Sequence, residues 1–149
     1  MFRQWCLFGL LMPTLVLAGE IQIDQAWVRE GPPNVSVLAS YFTVQNHTHE
    51  PIRISAFSSD QFERIELHQT ILHEGLARMQ HQPCVLLGPA QSLVLAPGGY
   101  HLMLFNPKST LKAGDTVMLK MHYTQQQNGQ AMTFPAVVKK ATGQAHHHH

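Results

Sequence analysis

The stretch PGGYHLMLFNP, Pro97 to Pro107, is a Pro-Gly-Gly turn that launches a strand ending at a second turn, Asn106-Pro107. Most of its residues are those a strand entering a core requires, yet it carries His101 and Met103. Side chains at i and i+2 of a strand leave the same face, roughly 6.6–6.8 Å apart along the backbone. An imidazole and a thioether therefore point the same way just beyond the turn.

Read outward from this strand, the chain repeats the pattern. The runs IQIDQAWVR, VSVLASYFTVQN, PIRISAFSS, ERIELHQT, LARMQH, SLVLAP, YHLMLFN, DTVMLKMHY and MTFPAVVKK are short, often alternating, and rich in β-branched or aromatic residues. Turn formers separate them: Gly31-Pro32-Pro33-Asn34, Asn46, Gly75, Gly88-Pro89, Pro97-Gly98-Gly99, Asn106-Pro107, Gly114-Asp115 and Asn128-Gly129. Strands at this spacing, without a long segment of 3.6-residue period, predict an all-β sandwich or barrel. No internal repeat is visible.

Residues 1–18 have a cationic start at Arg3, an apolar run, and Val16 and Ala18 at the −3 and −1 positions of a cleavage site, the features of a secretory signal peptide. The run is too short, and too interrupted by Pro13, for a membrane span of about 20 residues. Cys6 lies at its start rather than at a cleavage site, which speaks against a lipid anchor. The remaining chain has the size of one domain able to bury a core without disulfides.

Of 10 Lys and Arg against 9 Asp and Glu, one is Arg3, so the chain after the signal is neutral with its histidines uncharged. There is no basic stripe for nucleic acid or an anionic membrane. Cys84 is the only cysteine after residue 18, and it reads first as a small buried apolar residue. No acid/base or nucleophile constellation appears, so the chain is not expected to be an enzyme.

Alternation assigns faces. In RIELHQT, Ile65 and Leu67 share one side while Glu66 and His68 share the other; in LARMQH, Ala77, Met79 and His81 lie together. Between them LHEGL predicts a tight hairpin. With His73 and Glu74 as its loop, His68 faces Met79; a loop bulged at Gly75 shifts this by about one residue. Cross-strand neighbours hold their Cβ atoms roughly 4.5–5.5 Å apart. The sequence thus offers two His–Met pairs, one across a hairpin and one along a strand.

A set of neutral thioethers and imidazoles selects Cu(I) over harder ions, whereas zinc prefers thiolate, imidazole and carboxylate. It also suits an oxidising compartment, where paired thiols would cross-link. Taken singly, each residue has a plainer reading: a strand Met fills core, and a His sits at the surface. Met118, Met121 and Met132 read as packing, His122 as surface, His47 and His49 as loop, and His73 as the hairpin tip.

Ten residues separate His68 from Met79, twenty-one separate Met79 from His101, and one separates His101 from Met103. This H-x10-M-x21-H-x-M pattern resembles the signature of the periplasmic copper chaperone PCu(A)C family. The likeness extends through AWVRE, SYFTVQN, IELH, LAPGGYHLML, LKAGDTVMLKMHY and AVVKK. It implies a cupredoxin-like Greek-key β-sandwich over residues 19–140, binding one Cu(I) at His68, Met79, His101 and Met103. It further implies periplasmic delivery of copper to the Cu(A) centre of cytochrome c oxidase, with a Sco-type copper chaperone and oxidase subunit II as partners. No nucleic-acid partner and no stable membrane anchor are expected, and the domain is expected to be a monomer.

Where relatives often carry extra methionines, this chain has Thr70, Leu72 and Ala77, with His73 nearby. The tail, residues 141–149, ends in His146, His147, His148 and His149, a candidate second site for Cu(II). Three other readings stand beside the chaperone. One is a copper buffer or resistance protein with the same site and no dedicated recipient. Another is a blue-copper carrier, which would need a Cys thiolate with two His, whereas Cys84 is followed by His101 and Met103 only after a separate turn. The last is a β-sandwich binding module without metal.

Overall fold

The computed structural model describes residues 19–141. The expectations for residues 1–18 as a signal peptide and for His146 to His149 as a second metal site fall outside these. The described chain is all-β, with strands β1 (Ile21–Arg29), β2 (Val37–Asn46), β3 (Ile52–Ser58), β4 (Phe62–His73), β5 (Leu76–His81), β6 (Val85–Leu87), β7 (Ser92–Val94), β8 (Tyr100–Pro107), β9 (Thr116–Gln125) and β10 (Asn128–Lys139). Each sequence run corresponds to one of these; β6, only three residues long, is the addition.

Pairing follows the order β5-β4-β8-β2-β1-β10-β9-β3-β6, with β7 beside β2. A bridge between Phe57 and Ile65 joins β3 to β4, closing the sheet on itself as a flattened barrel. All named pairs are antiparallel except β1 with β10. Closure leaves β5 and β6 as edges, and β5 is exposed along its whole length.

The interior is filled by one face of each long strand. Leu38, Phe42 and Val44 of β2 meet Ile65 and Leu67 of β4, Leu102 and Leu104 of β8, Val117, Leu119 and Met121 of β9, and Phe134, Ala136 and Val138 of β10. Phe42 meets Phe57 and Phe134 edge-on, with ring centres 5.8 and 5.1 Å apart, the geometry aromatic quadrupoles favour. Because the side-chain period is two, the residues between these inner ones are turned outward. That is why His101 and Met103, flanking Leu102, lie on the outer face.

Asn46 at the end of β2 ties three loops together. It is fully buried, and its amide nitrogen donates to the carbonyls of Glu50, Leu87 and Gly88 at 2.9, 3.2 and 3.1 Å. Its Oδ1 accepts from the Thr48 amide at 3.0 Å and the Thr48 hydroxyl at 2.7 Å.

Two turns differ from expectation. The β4–β5 loop is Glu74-Gly75, both in the left-handed region with φ of 51° and 77°, rather than His73-Glu74. Positive φ at both central residues is the type I′ requirement for a two-residue hairpin, and Gly75 meets it at its second position. The β9–β10 turn uses Gln126 and Gln127, at φ 48° and 66°, and Asn128-Gly129 begins β10. Met121 packs in the core as expected, but Met118 is 46% exposed on the outer side of β9. Cys84 is half-buried rather than buried, and its Sγ lies 3.2 Å from the Arg53 guanidinium.

Candidate metal site

The candidate residues occupy three adjacent strands. Leu67 and Leu102 drive their strands' inner faces into the core, which turns His68 and His101 outward in direct register. Glu66 stands opposite Met103 in the same pairing, and Ala39 of β2 flanks Met103 on its other side. The Glu74-Gly75 turn sets the third strand: Met79 lies opposite Thr70, and His81 lies opposite His68. Met79 is therefore a diagonal neighbour of His68 on the shared face, not its direct partner. Such diagonals are about 7–8 Å apart between Cα atoms, still within reach of a long thioether.

Over this face lies an open cleft of about 500 Å³. Met79, His101 and Met103 line it together with Thr70, Tyr41 and Arg29. His68 lies beside the cleft lining, its ring centre 6.1 Å from that of His101 in a stacked arrangement. Met79 is 63% exposed at the outer lip, whereas His101 is 5% exposed at the floor. No cysteine lines the cleft.

In the neutral form of each ring, the form that can bind a metal, hydrogen bonds set the tautomer. Nδ1 of His101 is 3.0 Å from the Gly99 carbonyl, which can only accept, so Nδ1 carries the hydrogen and Nε2 keeps its lone pair. Nε2 of His68 is 2.9 Å from a Glu66 carboxylate oxygen, so Nε2–H donates there and Nδ1 keeps its lone pair. Glu66 is held below its ordinary value by that His68 hydrogen bond, against the opposing effect of partial burial and with help from Arg64, whose Nε donates to it at 2.6 Å. Arg64 also lies 4.0 Å over the Phe105 ring, which fixes its approach.

Both remaining lone-pair nitrogens, His68 Nδ1 and His101 Nε2, are buried with no hydrogen-bond partner among the described residues. An unpartnered buried acceptor costs about 1–3 kcal/mol. Two of them on adjacent strands, each backed on its far nitrogen by a fixed acceptor, form the arrangement in which metal-ligating imidazoles are held. The carboxylate and carbonyl behind them set the tautomer and raise ligand basicity. Among the described residues no three His, Cys, Asp or Glu side chains converge as a metal cluster. A monovalent ion held here would have to take thioether sulfur as well.

The sequence reading overlooked His81 as a neighbour of the site. Its ring centre is 5.4 Å from that of His68. Placing positive φ on Glu74 and Gly75 together would have given this register directly.

A β-sandwich with a soft-donor cleft on its outer face defines the class of protein. The family model described as "Putative lipoprotein LpqE-like" matches residues 21–138, and the chain belongs to this LpqE-like family. An uncharacterised protein of Rickettsia prowazekii is 34% identical over 108 residues, covering 69% of this chain and 59% of its own length. A protein of Leifsonia xyli subsp. xyli named as a lipoprotein is 29% identical over 108 residues, covering 72% of this chain and 64% of its own length. This chain thus spans about three-fifths of the curated relatives it matches.

Among solved structures, the Cu(I)-bound DR1885 protein of Deinococcus radiodurans superposes with a TM-score of 0.67 at 26% identity, over 85% of this chain and 83% of its own. The copper-bound PCuAC domain from PmoF2 also gives 0.67, at 21% identity over 83% of this chain and 96% of its own. The fold is the cupredoxin-like one of PCuAC domains, and the resemblance of the chain to that family holds.

Proposed function

We propose that this protein is an exported Cu(I)-binding metallochaperone, with copper as its cargo and His68, Met79, His101 and Met103 as its ligands. The observation that carries this reading is the pair of buried, unpartnered imidazole nitrogens beside Met103 and Met79, each ring fixed from behind by Glu66 or Gly99. Two imidazoles and two thioethers are neutral, and so leave a monocation in a partly polar cleft; soft sulfur favours Cu(I). The copper named for the PmoF2 domain and for DR1885 supports the same cargo. A blue-copper centre would need a thiolate, and the cleft lining contains none.

The site's position fits transfer. His101 forms the floor while Met79 stands at the open lip, so an acceptor can replace the thioether before the imidazoles let go. The periplasm is the compartment of action in this reading, with the Cu(A) centre on cytochrome c oxidase subunit II as recipient and a Sco-type chaperone as partner. Copper buffering by the same site is the second reading. Growth of a deletion strain at low copper separates them: loss of oxidase activity rescued by added copper supports delivery, and unchanged oxidase activity with raised copper sensitivity supports buffering. In vitro, competition against bicinchoninate should give one tight Cu(I) per chain. Met79→Leu with Met103→Leu, which keeps volume and removes sulfur, should abolish it without unfolding the domain; retained affinity would refute the ligand set.

A further inference from the structure

Three imidazoles form a row across β5, β4 and β8. His68 is in direct register with His81 on one side and His101 on the other, with ring centres 5.4 and 6.1 Å away. At an imidazole–metal bond of about 2.0–2.1 Å, two rings sharing one ion have centres up to roughly 6.4 Å apart. His68 is therefore within sharing distance of either neighbour. His81 and His101 stand on opposite sides of β4, their backbones two strand spacings or about 9.6 Å apart, and His68 alone is in register with both. Glu66 occupies Nε2 of His68, leaving only Nδ1, so the ion can take one position at a time.

We propose that His81 is an exchange ligand, forming with His68 an outer copper position through which Cu(I) enters and leaves the inner set. The proposal rests on the copper reading above and deepens it. Exposure supports the direction of travel: His101 is buried, whereas His81 lies on the fully exposed edge strand. The end of β5 is nevertheless held in place, because the Gln82 amide donates to the Leu67 carbonyl at 2.8 Å. His81 and Met79 share a face of this strand, so the lip thioether and the outer imidazole are presented together. An acceptor approaching β5 meets an ion held by His81 and His68, whose remaining coordination it can supply. The ion need not be stripped of all ligands at once, and that lowers the barrier to transfer rather than the binding free energy.

The test is stopped-flow transfer of Cu(I) from the loaded full-length chain to excess bicinchoninate, with an equilibrium competition run in parallel. His146 to His149 are replaced by alanine in every variant, so that tail imidazoles cannot act as carriers. His81→Ala should slow transfer by about tenfold, a barrier change of about 1.4 kcal/mol, while equilibrium affinity changes less than about threefold. His81→Met, which restores a Cu(I) donor, should recover the rate, and His81→Gln should not. Transfer from His81→Ala at the wild-type rate would overturn the proposal. So would a loss of affinity equal to that of His101→Ala, which would make His81 a resident ligand. Failure of the wild-type chain to bind Cu(I) at all would instead overturn the copper reading on which the proposal rests.

Discussion

Replacing Glu66 tests whether the imidazoles are held for a metal. Its carboxylate accepts from His68 Nε2 at 2.9 Å and from Arg64 Nε at 2.6 Å. Arg64 has a 53% exposed side chain, so its ion pair with Glu66 contributes only about 0–1 kcal/mol. The His68 bond is better protected, with side-chain exposures of 13% and 26%, and a hydrogen bond to a charged group contributes about 1.5–3 kcal/mol. Glu66→Ala should therefore destabilise the metal-free domain by about 1.5–4 kcal/mol, leaving it folded. The larger signal is in affinity. Losing the carboxylate frees the ring to rotate and to change tautomer, and outer-shell changes of this kind cost about 10–100-fold in metal affinity. Glu66→Gln keeps an accepting oxygen but not the charge, so its loss should fall near the lower end of that range. Competition against bicinchoninate at neutral pH, with denaturant melts of the same preparations, measures both. Wild-type affinity in Glu66→Ala would refute the reasoning. So would a loss as large as that from His68→Ala, because Glu66 would then be a ligand and not a support.

Leu102 lies between His101 and Met103 but points into the core, fully buried; Leu102→Ala should cost about 2–5 kcal/mol in a denaturant melt, with Cu(I) affinity of the folded protein nearly unchanged. Asn46→Asp should destabilise by at least about 1–3 kcal/mol, because an acceptor would then face the three carbonyls that the amide now satisfies. Glu66 is held below its ordinary value of 4.5 in the fold, chiefly by the His68 hydrogen bond. Its contribution should thus be complete above that pH and be lost as pH falls through the folded value, so melts of metal-free wild type and Glu66→Gln should converge on acidification.

Strand alternation made most of the fold legible in advance, because a closed sandwich buries one face of every long strand and turns the other outward. His101 and Met103 were placed by that rule alone, with Leu102 as the inner residue between them. The hairpin was harder. Its register depends on which residues take positive φ. The sequence suggests His73-Glu74 or a loop bulged at Gly75, whereas the turn is Glu74-Gly75, which moves Met79 from opposite His68 to opposite Thr70 and brings His81 into its place. Asn128-Gly129 misled for a related reason. The strongest hairpin dipeptide sits one step past a turn that Gln126 and Gln127 make, in the left-handed conformation that non-glycine residues adopt only at a cost. The Gly99 and Glu66 contacts that orient the two rings could not be read from spacing, since they depend on side-chain rotation and on backbone direction after the Pro-Gly-Gly turn.

The central claim is that nitrogen and sulfur from this one face hold the ion together. Copper K-edge X-ray absorption on the Cu(I)-loaded chain, with His146 to His149 replaced by alanine, tests it most directly. The account predicts a mixed first shell of imidazole nitrogen and thioether sulfur, with the sulfur contribution falling in Met103→Leu and the imidazole scattering falling in His101→Ala. A first shell without sulfur in the wild-type chain would contradict it.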